Sequence, residues 1–368
     1  MLIRLFLFIA ALIVLPRSSL AQPHAVEADG RALYLAACVN CHGEDGSGAT
    51  RAQVGFADAI PDFTDCSFAS REAAQDWFAV VHDGGPVRAF SRRMPAFGSA
   101  LTTAQIERVV DYVRSLCDDA SWPRGELNLP RTLATEKAFP EDELVIAADA
   151  VTRRSERAVT TRLIYERRFG ARNQWEIAVP LGVRDDGRGS LSGPAAGDIS
   201  LGLKRAMFHR SVPGTLFSGL AEVVLPTGSR RTGMGSGSAI FEPSLLFAQV
   251  LPANGFVQAQ AGAELAARRR LVSNELFARA ALGTTIAQGF GRSFSPILEV
   301  TAARELESGA RPEWDLLPQL QVSLSRRQHI LASIGVLVPM TDRSARPWQL
   351  QAYVLWDWFD GGLLAGWR

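Results

Sequence analysis

The sequence predicts two unlike parts, a small all-α domain followed by an antiparallel β-barrel of about twelve strands. Three observations lead there. All four cysteines, Cys38, Cys41, Cys66 and Cys117, lie in the first third of a 368-residue chain. From about Leu144 the apolar pattern turns to period two, in segments of roughly ten residues with no helical stretch between them. The connections between those segments alternate short and long along the chain.

The first element is an export signal. MLIRLFLFIAALIVLPRSSLAQ carries one early positive charge at Arg4, an apolar core from Leu5 to Leu15, and a small-residue site, Ser19-Leu20-Ala21, that places cleavage before Gln22. An uncleaved anchor helix is the alternative. Export puts the chain in an oxidising compartment, where disulfides persist. The expected bounds are 1–21 for the signal, 22–118 for the helical domain, 119–142 for a linker and 143–368 for the barrel. Lys plus Arg (39) nearly balances Asp plus Glu (38), which argues against a nucleic-acid partner. No run of ~18 apolar residues follows residue 20, so no helical span is expected in the mature chain.

In the helical domain, Cys38-Val39-Asn40-Cys41-His42 has the CxxCH spacing of c-type haem attachment. Two thiols three positions apart at a helix end can each bond a haem vinyl group, and the next residue, His42, is then aimed at the iron. A zinc site needs a second pair of N/S ligands, which is lacking. A thioredoxin-like dithiol wants a strand before it, whereas GRALYLAACVNC reads as a helix, and Gly43, Gly46 and Gly48 open a loop after it. The second axial ligand comes from Met94 or His82, or the iron keeps an open site; Met94, in the loop SRRMPAFG, is favoured because His/Met ligation suits electron carriers. Thr102 with Gln105 forms a capping box before Ile106, Val109, Val110, Val113 and Leu116. A further helix is expected over 71–81, capped by Ser70, with Trp77, Phe78 and Val81 inward.

With these pieces, residues 28–118 resemble a class I cytochrome c. The resemblance implies Cys38 and Cys41 as covalent attachments of one haem c, His42 and Met94 as its axial ligands, and Gly30 and Tyr112 at the crossing of the first and last helices. Cys66 and Cys117 remain; in an exported chain the leftover pair points to a disulfide, with two buried free thiols as the alternative.

The residues after Cys117 are rich in proline and charge and read as a linker, ordered to the extent that Trp122 and Phe139 want cover. Beyond it, FVQAQAGAEL sets Val257, Ala259 and Ala261 against Gln258, Gln260 and Gly262, and DLLPQLQVSL sets Leu316, Leu320 and Val322 against Gln319 and Gln321. Segments of this length, apolar outside and polar inside, are the signature of an outer-membrane barrel. The expected centres are 147, 163, 177, 203, 220, 245, 261, 280, 299, 320, 333 and 353. A soluble antiparallel sandwich is the alternative. Short turns at 170–173, 251–255 and 325–328 fall on the side of both barrel ends, the periplasm, together with the haem domain. GDISLGLKRAMF, AEVVLPTGS and YVLWDWFDGG resemble, more loosely, an outer-membrane transporter family associated with phenol-degradation pathways. Against that pattern, the chain ends Gly366-Trp367-Arg368 rather than on an aromatic residue.

The combined expectation is a periplasmic one-electron carrier tethered to an outer-membrane barrel, in contact with lipid and with periplasmic redox partner proteins. The alternative is a porin-like transporter that passes a small solute, its haem domain plugging, gating or sensing. No catalytic constellation stands out; His209 and His329 read as ordinary lumen, interface or surface residues.

Overall fold

The computed structural model describes residues 29–153, 156–184, 193–286 and 292–357. The export signal, the FDGG turn and the terminal Arg368 lie outside them. The helical part comprises α1 (Gly30–Ala37), α2 (Val39–His42), α3 (Arg51–Val54), α4 (Cys66–Ala69), α5 (Ala74–Asp83) and α6 (Thr103–Ser115). The capping box opens α6: the Thr102 amide donates to Gln105 Oε1 (2.8 Å), and the Gln105 amide to Thr102 Oγ1 (3.3 Å). Ile106, Val109, Val110 and Val113 form its buried face. The α1–α6 crossing is tight at Gly30, where a Cβ would run into the Arg108 carbonyl and within 3.0 Å of Tyr112.

The helix expected over 71–81 starts three residues later. Asp65 caps a separate short α4 by accepting from the Ser67 amide (2.8 Å), and Ser70 ends that helix instead of opening α5. The turn between them aims Arg71 and Glu72 away from the helical core. Cys66 and Cys117 form a disulfide with Cα atoms 5.1 Å apart, closing a loop of sequence separation 51; on chain entropy this is worth about 4 kcal/mol.

Twelve long strands follow: β1 (Glu143–Arg153), β2 (Glu156–Phe169), β3 (Asn173–Arg184), β4 (Ile199–Arg210), β5 (Thr215–Leu225), β6 (Ile240–Val250), β7 (Gly255–Ala266), β8 (Glu275–Thr284), β9 (Phe294–Glu305), β10 (Glu313–Ser323), β11 (Ile330–Pro339) and β12 (Gln349–Asp357). A two-residue strand, Ala195–Ala196, adds a short pairing to β3. Each strand pairs antiparallel with the next, and β1 pairs with β12 from Glu143↔Asp357 to Val151↔Gln349. The sheet is therefore closed and has no edge.

The two faces sort as a membrane barrel requires. Leu203 (60% exposed), Leu245, Leu282 and Ile334 face outward, while Lys204, Gln258, Gln319 and Gln321 are buried inward. Such a continuous apolar exterior suits lipid and not water. The long outer connections and short inner turns alternate as expected, with two exceptions. The β1–β2 connection is only residues 154–155, and the inner β8–β9 connection is nine residues long.

The segment expected as a linker is not a surface tether. Leu127, Leu129, Ala138 and Phe139 are buried in one apolar cluster with inward-facing residues of the strands, among them Leu216, Leu246 and Phe256. The inner half of the lumen is thus filled, apolar along β5–β9 and polar along β1–β4, where Glu143, Glu166, Gln174 and Lys204 are buried. This departs from a uniformly polar interior, and the runs that mark it, such as Leu245-Leu246-Phe247-Ala248, are apolar on both faces.

Candidate haem site and its seat on the barrel

α1 begins where Asp29 accepts from the Ala32 amide (2.7 Å) and ends at Cys38, from which α2 turns directly into His42. The Tyr34 hydroxyl donates to the Gly43 carbonyl (2.6 Å), pinning the exit of the turn. Cys38 and Cys41 are free and half-buried. Burial pushes the Cys38 thiol up to about 11, with Cys41 adding to the shift. A reactive or redox-active cysteine needs the opposite shift. Among the described residues, no three His, Cys, Asp or Glu side chains are placed to hold a metal ion.

Burial lowers the His42 imidazole to about 4, so at neutral pH the ring is uncharged and able to ligate. It stacks on Phe63 with centroids 4.8 Å apart, and Phe63 meets Trp77 edge-on at 5.5 Å. His42 Nδ1 and Trp77 Nε1 are both buried with no hydrogen-bond partner. Buried polar groups are seldom left unpaired, and these two lie in the aromatic wall beside the free thiols. The residues present fit a haem, an apolar disc with carboxylate arms.

Met94 sits apart from that turn, half-buried on the loop after α5. The loop is held by backbone bonds from Gly85 N to Met94 O (3.0 Å) and from Phe97 N to Val81 O (2.9 Å). Gly85 leaves room for it, since a Cβ there would meet the Ser91 carbonyl and come within 3.2 Å of Met94 Cβ. His82, the other axial candidate, has Nδ1 2.7 Å from Asp83 Oδ1 and its ring stacked on Phe78.

A second constellation joins the domain to the barrel. Arg88 (4% exposed) pairs with Asp76 (2.5 Å) and donates to the Arg327 carbonyl (2.7 Å) on the β10–β11 turn. Glu72 Oε1 lies 3.0 Å from His329 Nε2 on the same turn. The Arg327 guanidinium covers the Phe90 ring at 4.6 Å, and Arg71 pairs with Asp142 (2.6 Å). His329 is thus an interface residue. The partners are separated by up to 257 positions, so no sequence spacing announces them. The helical domain sits on the barrel end that carries the short turns.

Residues 25–113 match the family model described as cytochrome C oxidase, cbb3-type, subunit III, a match confined to the N-terminal third. Comparison with curated proteins finds no match. Among solved structures, the chain is similar to an outer membrane channel from Pseudomonas putida F1, with 11% identity, 62% of this chain and 99% of that one covered, and a TM-score of 0.45. It is also similar to the KdgM porin (10% identity, 59% and 99% covered, TM-score 0.39) and the NanC porin (8%, 58% and 98%, 0.41). These likenesses concern fold alone. The chain joins a cytochrome c domain to a closed twelve-stranded β-barrel of the membrane-spanning kind.

Proposed function

We propose that this chain is a periplasmic one-electron carrier held at the outer membrane by its own barrel. The observation that carries the reading is the turn Cys38–His42, with two free thiols and a buried uncharged imidazole whose Nδ1, like Trp77 Nε1, has no hydrogen-bond partner. Cys38 and Cys41 would hold one haem covalently, and His42 and Met94 would bind its iron. When bound, the haem supplies reversible one-electron chemistry, its potential raised by a methionine ligand.

The protein's own part is placement. Phe63 and Trp77 wall the site against water. The Cys66–Cys117 disulfide ties the start of α4 to the chain just past α6. The contacts of Arg88 and Glu72 with the β10–β11 turn fix the domain on the barrel mouth. Electron donors and acceptors are therefore periplasmic proteins that come to the outer membrane. No residue is assigned a catalytic role.

The test is a haem-stained gel of an outer-membrane fraction, run with and without boiling, followed by a redox titration of the purified chain. One haem-positive band that shifts on heating, a one-electron Nernst slope and no carbon monoxide adduct of the reduced form are expected. A soluble, heat-insensitive haem band would overturn the tether. Ready carbon monoxide binding would show an open iron position and overturn the carrier reading.

A further inference from the structure

We propose that residues 128–142 are a resident plug that keeps the barrel closed, and that passage of any solute requires this hairpin to leave the lumen. The hairpin enters from the end carrying the short turns, reaches Glu299 in the middle of β9, and returns to begin β1.

It is tied around the whole circumference. On one side Arg131 (6% exposed) pairs with Glu143 on β1 and Glu166 on β2, and the Glu141 amide donates to Gln174 on β3 (2.7 Å). Ser218 on β5 donates to the Ala138 carbonyl (2.6 Å), and Gln258 on β7 to the Pro130 carbonyl (2.8 Å). β4 and β6 add Ala206 and Ala248 to the apolar cluster that seats Leu129 and Phe139.

At the tip, Arg279 on β8 donates to the Ala134 carbonyl (2.9 Å), while Gln321 on β10 (3.3 Å) and Tyr353 on β12 (2.6 Å) donate to that of Arg131. On β11 the Leu133 side chain fills the space that a Cβ on Gly335 would take. With Glu299 on β9, all twelve strands meet the hairpin.

The wall is built for this occupant. Glu143 and Glu166 face each other across the β1–β2 ladder, an arrangement that destabilises a sheet unless neutralised, and Arg131 lies between them. Glu299 is fully buried and accepts from the amides of Leu133 (2.8 Å), Ala134 (3.0 Å) and Thr135 (2.7 Å), and from the Thr135 hydroxyl (2.6 Å). Among the described residues the tip makes no backbone-to-backbone hydrogen bond of its own and Glu299 no ion pair, so the two complete each other. Above the tip, a cavity of about 270 Å³ is floored by Arg131 to Glu136, so it is a blind pit.

The test is single-channel recording of the full haem-loaded chain in planar bilayers. The parent is expected to show no steady conductance. Arg131→Ala with Glu299→Gln is expected to raise the open fraction at least ~100-fold, the scale of losing one member of a buried ion pair. Adding Ala138→Cys with Ser218→Cys and oxidising should return that variant to silence, and reductant should restore its openings; the same reductant on the parent is the control for Cys66–Cys117. If the loosened variant gives no heat-modifiable band, Leu129→Ser with Phe139→Ser loosens the hairpin from its apolar side and is read in the same way. Steady porin-sized conductance of the parent, undiminished by the crosslink, overturns the proposal. So does a folded, haem-loaded loosened variant that conducts no more than the parent.

Discussion

At the scale of single residues, Cys38, Cys41 and His42 are legible because they are contiguous, and helix geometry alone sets their relation. Met94 is proposed as a ligand on a weaker signal, a methionine in a Pro/Gly-marked loop, where core filling does not explain it. The ligand role assigned to it gives a sharp expectation. Met94→His should keep the haem and lower its reduction potential, because the softer sulfur ligand is lost; an unchanged potential in a spectroelectrochemical titration would remove Met94 from the iron. Arg88, Glu72 and His329 were not legible. A buried arginine and an exposed one look alike in sequence, and their partners come from another domain.

At the scale of elements, the twelve strand centres could be read from period-two alternation because a closed barrel imposes one apolar face on every strand. What alternation does not reveal is which polar residues meet. Glu222 lies opposite Glu242, Glu264 opposite Glu275, and Glu275 opposite Glu305, an acidic row inside the outer half of the barrel. Like charges directly opposite destabilise a ladder by up to about 1 kcal/mol. Glu242→Gln should therefore raise the temperature at which the folded gel band converts to the unfolded one. A lowered conversion temperature would mean that the carboxylate is engaged in something the row needs. The late start of α5 was missed because Ser70 is a good N-cap by residue type, whereas in the structure it closes α4 and Ala73 precedes α5.

At the scale of the whole molecule, the haem domain and the barrel are joined through a stem. Glu126 is gripped by the Arg114 guanidinium of α6 and also accepts from the Ala74 amide (3.0 Å) at the start of α5. Burial alone would raise its pKa; the hydrogen bond and charge of Arg114 outweigh that and hold it below the ordinary 4.5. A depressed carboxylate contributes stability that is present above its unfolded pKa and is lost as pH falls through the folded one. The joint should therefore loosen below about pH 4.5, the ordinary glutamate value. Limited proteolysis of the stem across pH 3–6 is expected to show cleavage rising toward acid in the parent and already high, with little pH dependence, in Glu126→Gln. A variant that resists cleavage as the parent does would leave the joint to the other contacts.

The sequence by itself determined the two-part plan, the haem-attachment motif, the α6 cap and face, and the strand number. Each of these depends on neighbours within one element, where a period of 3.6 or 2 or a fixed spacing carries the whole signal. Only the tertiary structure decided what residues 119–142 do. Their composition is that of a linker, but the lumen covers Leu129 and Phe139 with apolar residues and supplies carboxylates such as Glu299 to the amides of residues 133–135. Whether a proline- and charge-rich segment stays in water or is buried depends on such complementary groups. Here they are spread over strands from 12 to 222 positions away, from Glu143 to Tyr353 against Arg131.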